Sequence, residues 1–182
     1  MRCKKCGTKF QKKYPNQMGD LRYCLGSDEC TAEFWNAVKR KKIKDAQKKK
    51  RQFKKENKRK QDFEKDLEKI FNEFIRLRDK WKPCISCDAK GGKYTISAGH
   101  YFPAGSHKNV RFDEDNVHGQ CWYNCNKNKS GNLSEYLPRL IERIGQERFD
   151  QLSERRNEPR RYTIPELKEL IEVYKQKVKD FK

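Results

Sequence analysis

Apolar residues are sparse in this chain, and their spacing changes character along it. A helix can open at Ser27 or Asp28 and run through Phe34 and Trp35, and no breaker follows until Pro83. Between Lys39 and Lys60, fourteen Lys or Arg stand against two acids, Asp45 and Glu56, with only Ile43, Ala46 and Phe53 as apolar punctuation. A helix there is polar all round, and like charges at i,i+4 oppose it. From Phe63 the pattern turns amphipathic: Phe63, Leu67, Ile70, Phe74, Leu77 and Trp81 alternate four and three apart, as in a heptad seam. This seam predicts packing against the chain's own core, with a homodimeric coiled coil as the alternative. One unbroken helix over residues 31–80 would extend roughly 75 Å at ~1.5 Å per residue.

Past Pro83 the elements are shorter. A turn at Lys90-Gly91-Gly92-Lys93 leads into a strand-like Tyr94-Thr95-Ile96-Ser97, small Ala98 and Gly99, and then His100. Tyr101 to Val110 is a loop rich in Pro, Gly and Ser. Arg111-Phe112 reads as a short second strand, Asp113 to Asn116 as a turn, and a helix is expected from about Cys125. Ser134 to Phe149 carries Tyr136, Leu137, Leu140, Ile141 and Ile144 at helical spacing, with Pro138 in its first turn. After a polar loop at 155–161, the capping box Thr163-x-x-Glu166 starts a last helix striped by Leu167, Leu170, Ile171, Tyr174, Val178 and Phe181. These stripes read as core. The fold class is α+β, mostly helical.

Composition limits how such a chain can be stable. Of 182 residues only 34% are apolar and 39% are charged, which disfavours one large core and asks bound metal to supply part of the stability. The net charge of +19 points to a polyanion, because each cation that neutralises a phosphate releases a condensed counterion. Charge alone also admits RNA or a membrane surface. No run of about 18 apolar residues could span a bilayer, and MRCKKCGTKF lacks the apolar centre of a signal peptide. The expectation is a cytoplasmic protein that does not use a membrane.

In a reducing compartment, eight paired cysteines are zinc ligands before they are disulfides. Cys84-x2-Cys87 with Cys121-x3-Cys125 makes one quartet, and Cys3-x2-Cys6 with Cys24-x5-Cys30 the other. Four thiolates leave zinc no open position, so both ions would be structural. The first quartet in chain order sits among Lys4, Lys5, Lys9 and Arg22 and reads as a nucleic-acid-contacting finger or, more plainly, a structural cap with solvated lysines. The expected organisation is a finger over 1–34, a basic helical spacer over 35–62, and a domain over 63–182.

His100, Asn116 and Asn126 are threaded through the second quartet in the pattern N-x4-C-x3-C-N-x2-K, which ends at Lys129. This order resembles the HNH, or ββα-metal, nucleases. With AGHY at 98–101, RFDEDNVHGQC at 111–121, CNKNKSGNL at 125–133 and the YLPRLIERIGQE helix, the chain resembles, over nearly its whole length, the NinG, or Rap, family of lambdoid phage recombination nucleases. The resemblance implies a small zinc-stitched ββα-metal core with flanking helices, an N-terminal zinc finger on a long basic helix, and a host-cell cytoplasmic location. It further implies a structure-specific DNA endonuclease that cuts D-loops and Holliday-like junctions, with phage recombination proteins as further partners.

Residue chemistry suggests the roles. His100 is the candidate general base, because an imidazole with a pKa near ~6.5 can take a proton at neutral pH. By family analogy, Asn116 orients the loop that holds it. Asn126 offers a hard oxygen to Mg²⁺ or Mn²⁺, and Arg111, Lys127 and Lys129 can hold phosphates. Lys48, Lys49, Lys50 and Arg51 would supply non-specific attraction. Gly99 stands where most HNH nucleases have Asp or His, which leaves Asn126 and water to hold the cation, unless His118 supplies the ligand or orients the base instead of making a structural hydrogen bond. The Cys121–Cys125 knuckle is one residue longer than usual, which alters the rotation of Asn126. His107 reads as solvated. The competing functions are a catalytically silent DNA-binding zinc protein and an HNH nuclease acting on RNA.

Overall fold

In the computed structural model, which describes residues 1–182, the basic helix does not reach Pro83. Helix α1 spans Asp28–Glu56 and α2 spans Lys60–Arg78. No Gly or Pro announces the break; capping makes it. Asn57 closes α1 by placing its backbone N–H and its Nδ2 on the Phe53 carbonyl, and the Asp62 carboxylate accepts the Arg59 N–H at 2.9 Å to start α2 afresh. The chain divides there into two compact units, Met1–Lys58 and Arg59–Lys182.

In the first unit Ser27 caps α1, its hydroxyl accepting the Cys30 N–H at 3.3 Å. Cys30 therefore lies in the first helical turn, facing Cys3 and Cys6 on a tight turn closed by the Gly7 N–H on the Cys3 carbonyl. Leu21, Tyr23, Phe34 and Ala37 form a small core with Cys3 and Cys30. Buried Gln17 knits the intervening loop: its Oε1 accepts the Lys13 and Tyr14 N–H groups, and its Nε2 donates to the Tyr23 carbonyl at 2.7 Å. Every residue from Lys39 to Asn57 is exposed, as an all-polar helix predicts.

The second unit is built on α2 lying against α5 (Ile164–Asp180). Leu67, Phe71, Phe74 and Ile75 meet Leu167, Ile171, Tyr174 and Val178, each burial contributing roughly 1.5–3 kcal/mol. Phe71 stands edge-on to Phe112 and Tyr174, with ring centroids 5.7 and 4.9 Å apart. The apolar face of α2 is thus covered within the chain and is not a free coiled-coil seam. Trp81, counted in that seam, falls beyond the helix end and is 75% exposed; Phe71 and Ile75 take the buried places.

A two-stranded antiparallel hairpin packs beside this pair. Strand β1 is Ile96–His100 and β2 is Val117–Cys121, in register from Ile96 opposite Cys121 to His100 opposite Val117. The second strand is therefore not Arg111-Phe112. Phe112 is drawn instead against Phe71 and Tyr162 at the edge of the core, and Lys108–Val110 coil into one tight helical turn. After β2, residues Trp122–Lys127 form a wide helical turn with a bond from the Asn128 N–H to the Tyr123 carbonyl, in place of the α-helix expected from Cys125. Helices α3 (Leu133–Ile144) and α4 (Gln146–Arg155) replace the single helix expected to Phe149, because Gly145 at φ +85° ends the first. Ile85, Tyr136 and Leu140 make a second small core under the hairpin. The Thr163–Glu166 capping box forms as expected, with the Thr163 N–H on Glu166 at 2.7 Å.

One buried carboxylate ties α2 to the hairpin. Asp79, just past the end of α2 and wholly inaccessible, accepts the Gly119 N–H of β2 at 2.8 Å and pairs with Arg78 at 2.8 Å and Lys82 at 3.0 Å. Burial pushes its pKa up, but the Arg78 guanidinium, the Gly119 amide and Lys82 outweigh that and hold it well below the usual carboxylate range.

Two cysteine tetrads complete the fold, and each could hold a zinc ion. Within each, all sulfur atoms lie within 4.8 Å of one another, and all eight thiols are free of disulfides. A tetrahedron with ~2.3 Å Zn–S bonds has sulfurs ~3.8 Å apart. The Sγ atoms of Cys3 and Cys30 are 3.9 Å apart and those of Cys6 and Cys24 3.6 Å; Cys84–Cys125 and Cys87–Cys121 repeat these distances. No helix is long and apolar enough to cross a membrane.

Two predictions follow from this packing. Elemental analysis of purified protein should give two zinc ions per chain, and Cys84→Ser should unfold the hairpin because metal-binding free energy is folding free energy here; one zinc or none would refute the paired tetrads. Asp79→Ala should cost about 1–3 kcal/mol, since it leaves the buried Gly119 N–H unpaired and removes the carboxylate from half-buried Arg78. The stabilisation that Asp79 confers should be complete above the ordinary carboxylate pKa of ~3.9 and decline as pH falls below it. Denaturant titrations showing a loss under ~1 kcal/mol would mean that the carboxylate does not hold the two elements together.

Candidate functional site

The hairpin places Ile96, Ala98 and His100 on one face and Ser97 and Gly99 on the other. His100, the last residue of β1, has its Nε2 3.0 Å from the Arg111 carbonyl. A carbonyl only accepts, so Nε2 carries the proton and Nδ1 keeps a free lone pair. Burial lowers the pKa of His100; the Arg111 carbonyl opposes this, and the Arg111 charge adds to it. The ring is therefore neutral and basic at Nδ1 at physiological pH. Arg111 is itself fixed by Glu68 at 2.8 Å and lies over the Phe112 ring.

Asn116 is fully buried just before β2, and its amide oxygen and both N–H groups are hydrogen-bonded. Oδ1 accepts the Phe102 N–H at 2.8 Å, while Nδ2 donates to the Phe102 and Val110 carbonyls at 3.0 and 2.9 Å. Its carbonyl also accepts the Tyr101 N–H at 2.9 Å. Both ends of the 101–110 loop are thereby tied to one side chain, directly beside His100 and one residue short of Arg111. Asn116 positions this loop and, fully buried with both N–H donors used, is out of reach of a ligand.

Asn126 sits in the wide turn after β2, half-buried, with Nδ2 2.9 Å from the Ser97 hydroxyl; that hydroxyl in turn donates to the Gln120 carbonyl at 3.0 Å. This leaves the amide oxygen of Asn126 as the available donor atom. Lys127 and Lys129 are exposed, and Lys127 lies 6.0 Å from the centroid of Tyr123. After Lys129 the chain reverses through Ser130 to Asn132, with positive φ at Ser130, Gly131 and Asn132.

Gly99 has a steric reason. A Cβ there would meet Gln120 Oε1 at 2.4 Å, so no carboxylate can precede His100 while Gln120 holds its place. Gln120 is fixed by Nε2 donating to the Ser86 hydroxyl at 2.5 Å and to the Gly131 carbonyl at 2.6 Å. His118, opposite Gly99, is seated between the hairpin and α3. The single proton of Tyr136 goes to the Gly99 carbonyl at 2.9 Å, and His118 Nδ1 faces the phenol oxygen at 3.5 Å, without any bond to Asn126. Burial, with Arg78 next, pushes the His118 pKa down to about 3, which makes it a neutral packing residue. His107 is half-buried, its ring edge-on to Phe102 at 5.4 Å, and not solvated.

The structure thus brings His100, Arg111 and Asn116 into one cluster and links Asn126 to β1 through Ser97. Lys48, Lys49, Lys50 and Arg51 lie exposed on α1 in the first unit. Sequence reasoning missed Ser97, Gln120, Ser86 and Asp79. Their only signal was polarity inside short segments that both faces of the hairpin bury.

A family model described as the bacteriophage lambda NinG protein matches residues 1–182. Over 121 residues the chain is 43% identical to protein ninG of Escherichia phage lambda, covering 65% of this chain and 56% of that protein. It is 42% identical over the same length to protein ninG of Escherichia phage 933W and of Salmonella phage P22, covering 65% of this chain and 57% of each. The matches therefore span a little over half the length of these curated relatives. No solved structure matches. This chain belongs to the NinG family of bacteriophage proteins.

Proposed function

We propose that this protein is a metal-dependent DNA endonuclease of the HNH type, acting on branched recombination intermediates. The observation that carries the proposal is His100, held by the Arg111 carbonyl so that a neutral imidazole presents Nδ1 as a base beside the half-buried Arg111 guanidinium. In the reaction, Nδ1 takes a proton from water, the resulting hydroxide attacks phosphorus, and the bond to the 3′ oxygen breaks. The donor set suits a hard cation held by one protein oxygen, since Ser97 leaves Asn126 its carbonyl and Gly99 offers none. A Mg²⁺ or Mn²⁺ bound there with the scissile phosphate would absorb the charge on the leaving oxygen. Lys127, Lys129 and Arg111 hold flanking phosphates, and Asn116 fixes the loop bearing Arg111.

A silent DNA-binding zinc protein needs neither an oriented imidazole nor a buried, hydrogen-bonded Asn116. That binder, and an RNA-cutting enzyme, are separated from this reading by assaying four-way junctions, Y-junctions, duplex and RNA with and without Mg²⁺ or Mn²⁺.

His100→Ala should lower kcat on a junction about 10²–10⁴-fold while leaving DNA affinity within a factor of ~3. Asn126→Ala should raise the Mg²⁺ concentration needed for half-maximal cleavage. Unchanged turnover in the first, or an unaltered metal titration in the second, removes that residue from its role. The acid limb of kcat/KM should fall below ~6.5, because burial lets His100 stay deprotonated to lower pH than free imidazole; a limb at or above that value would point to another base.

Neutralising Lys48, Lys49, Lys50 and Arg51 together should weaken binding to all DNA forms and flatten the salt dependence by up to ~0.9 log–log unit per lost phosphate contact. Affinity titrations at several salt concentrations check this, and an unchanged slope would take α1 out of the DNA contact.

A further inference from the structure

A cleft of about 370 Å³ opens in the second unit, where the first turn of α2, the loop after His100 and the loop before α5 converge. Two aromatic rings line it, Phe112 and Tyr162, with centroids 5.8 Å apart and planes 59° apart, and a guanidinium lies over one face of each, Arg111 over Phe112 at 5.1 Å and Arg160 over Tyr162 at 4.8 Å. Five cations line it against a single acid, Glu64. Three of the five are compensated: Lys60 faces Glu64 at 3.8 Å, Arg111 pairs with Glu68, and Arg160 pairs with Glu166 at 3.3 Å. The other two, Lys108 and Arg161, are exposed and make no ion pair. A second basic hollow continues from Lys108, Arg160 and Arg161 to Arg156, which lies over the Phe102 ring at 5.1 Å and is likewise without an acid partner.

Each part of this arrangement selects a property of the ligand. Unpaired cations on the rims require an anion, and the continuing basic hollow requires one that extends. The guanidinium planes over these rings reward a flat π-face, and stacking is worth about 1–3 kcal/mol per base on the aromatic platforms of single-strand binders. A base within a duplex has both faces occupied by its neighbours, so only an unpaired one can stack there. The volume is at the low end of ordinary ligand sites of ~300–1,000 Å³, which limits the stacked occupant to about one nucleotide. The cleft also adjoins His100, because Arg111 lines the one and holds the other.

We propose that this cleft is a subsite for one unpaired nucleotide of a DNA strand, its base stacked on the Arg160 guanidinium that lies over Tyr162 and its phosphates on Lys108 and Arg161, with the strand continuing towards Arg156. It rests on the nucleic-acid reading of the chain and deepens it: recognition of unpaired DNA next to the bond to be cut lies in the second unit and does not need the finger.

The test is binding by full-length, zinc-loaded protein without added Mg²⁺ or Mn²⁺. The probes are a Y-junction with an unpaired arm, the same junction with abasic sites in that arm, its RNA-armed counterpart, and continuous duplex. Lys108→Glu with Arg161→Glu should weaken binding to the Y-junction at least ~10-fold and to duplex by less than ~3-fold, and should reduce the salt slope by about 1.4 for two contacts on a single strand. For the wild type, abasic sites should cost at least ~5-fold, and the RNA arm should bind no better than DNA. Lys108→Ala with Arg161→Ala, and a melting curve for each, separate a lost contact from a lost fold. Equal weakening on junction and duplex, or no penalty for abasic sites, would overturn the subsite; preference for the RNA arm would overturn its assignment to DNA. Because the readout is affinity, it is independent of cleavage. Protein that shows these ratios without His100-dependent cleavage keeps the subsite and loses the nuclease reading, and an active enzyme without them does the reverse.

Discussion

The second unit depends on the buried carboxylate of Asp79. Two stripes of apolar residues hold α2 on α5, and only Val117 and Ala98 of the five-residue strand pair join that packing. Asp79 fixes the pair by accepting the Gly119 amide, while Arg78, which it neutralises, donates to the Val117 and Glu114 carbonyls at 2.8 and 3.1 Å. The start and middle of β2 are thereby tied to the end of α2 by hydrogen bonds to charged groups, the stronger kind. Everything at the candidate site inherits this placement, because β1, with His100 at its end, is positioned by its register with β2.

What could be read in the sequence followed from how local its cause was. The cysteine pairs, the Ser27 cap, the Thr163–Glu166 box and the α5 stripe from Leu167 to Val178 are each set within a few residues and stand where they were expected, whereas Phe181, counted in that stripe, falls past the helix end and is 50% exposed. The strand β2 could not be read that way. Val117-His118-Gly119-Gln120-Cys121 has no period-two alternation of apolar and polar residues, because both faces are covered: Val117 joins the α2–α5 core, while His118 and Gln120 face Tyr136 and Ser86. Arg111-Phe112 looked more like a strand only because Phe112 is apolar, and that property is used in the helix core. The break at Asn57 was hidden for a related reason: a cap built from Asn57 and Asp62 uses residues that an exposed helix also carries.

Electrostatics resolve an apparent conflict in a chain expected to meet a polyanion. Three consecutive acids, Asp113, Glu114 and Asp115, precede Asn116 next to His100, where they would repel phosphate. In the fold each meets a cation from a later helix: Asp113 pairs with Arg155 at 2.6 Å, Glu114 with Lys177, and Asp115 with Arg148. Single exposed pairs of this kind contribute little to stability. Their effect here is on the field, since they remove a negative patch beside the cluster and leave Lys108, Arg156 and Arg161 as the uncompensated charges around it.

The division of labour between the two asparagines follows from their bonding capacity. An amide has one acceptor oxygen and two N–H donors. Asn116 commits its oxygen and both N–H groups to the backbone at Phe102 and Val110 and so holds geometry; its loss would leave the Phe102 N–H and carbonyl without this partner at a cost of about 1–3 kcal/mol each, while the Val110 carbonyl keeps the Asp113 N–H. Asn126 gives a donor to Ser97 and keeps its oxygen. Gly99, beside Ser97 on the same face of β1, has no room for a side chain while Gln120 holds its place. A module of this size cannot hold such a geometry by apolar packing alone, so polar bonds complete it: Ser86, Gln120 and Ser97 form one network that ends at Asn126, and Asn116 separately fixes the loop that follows His100.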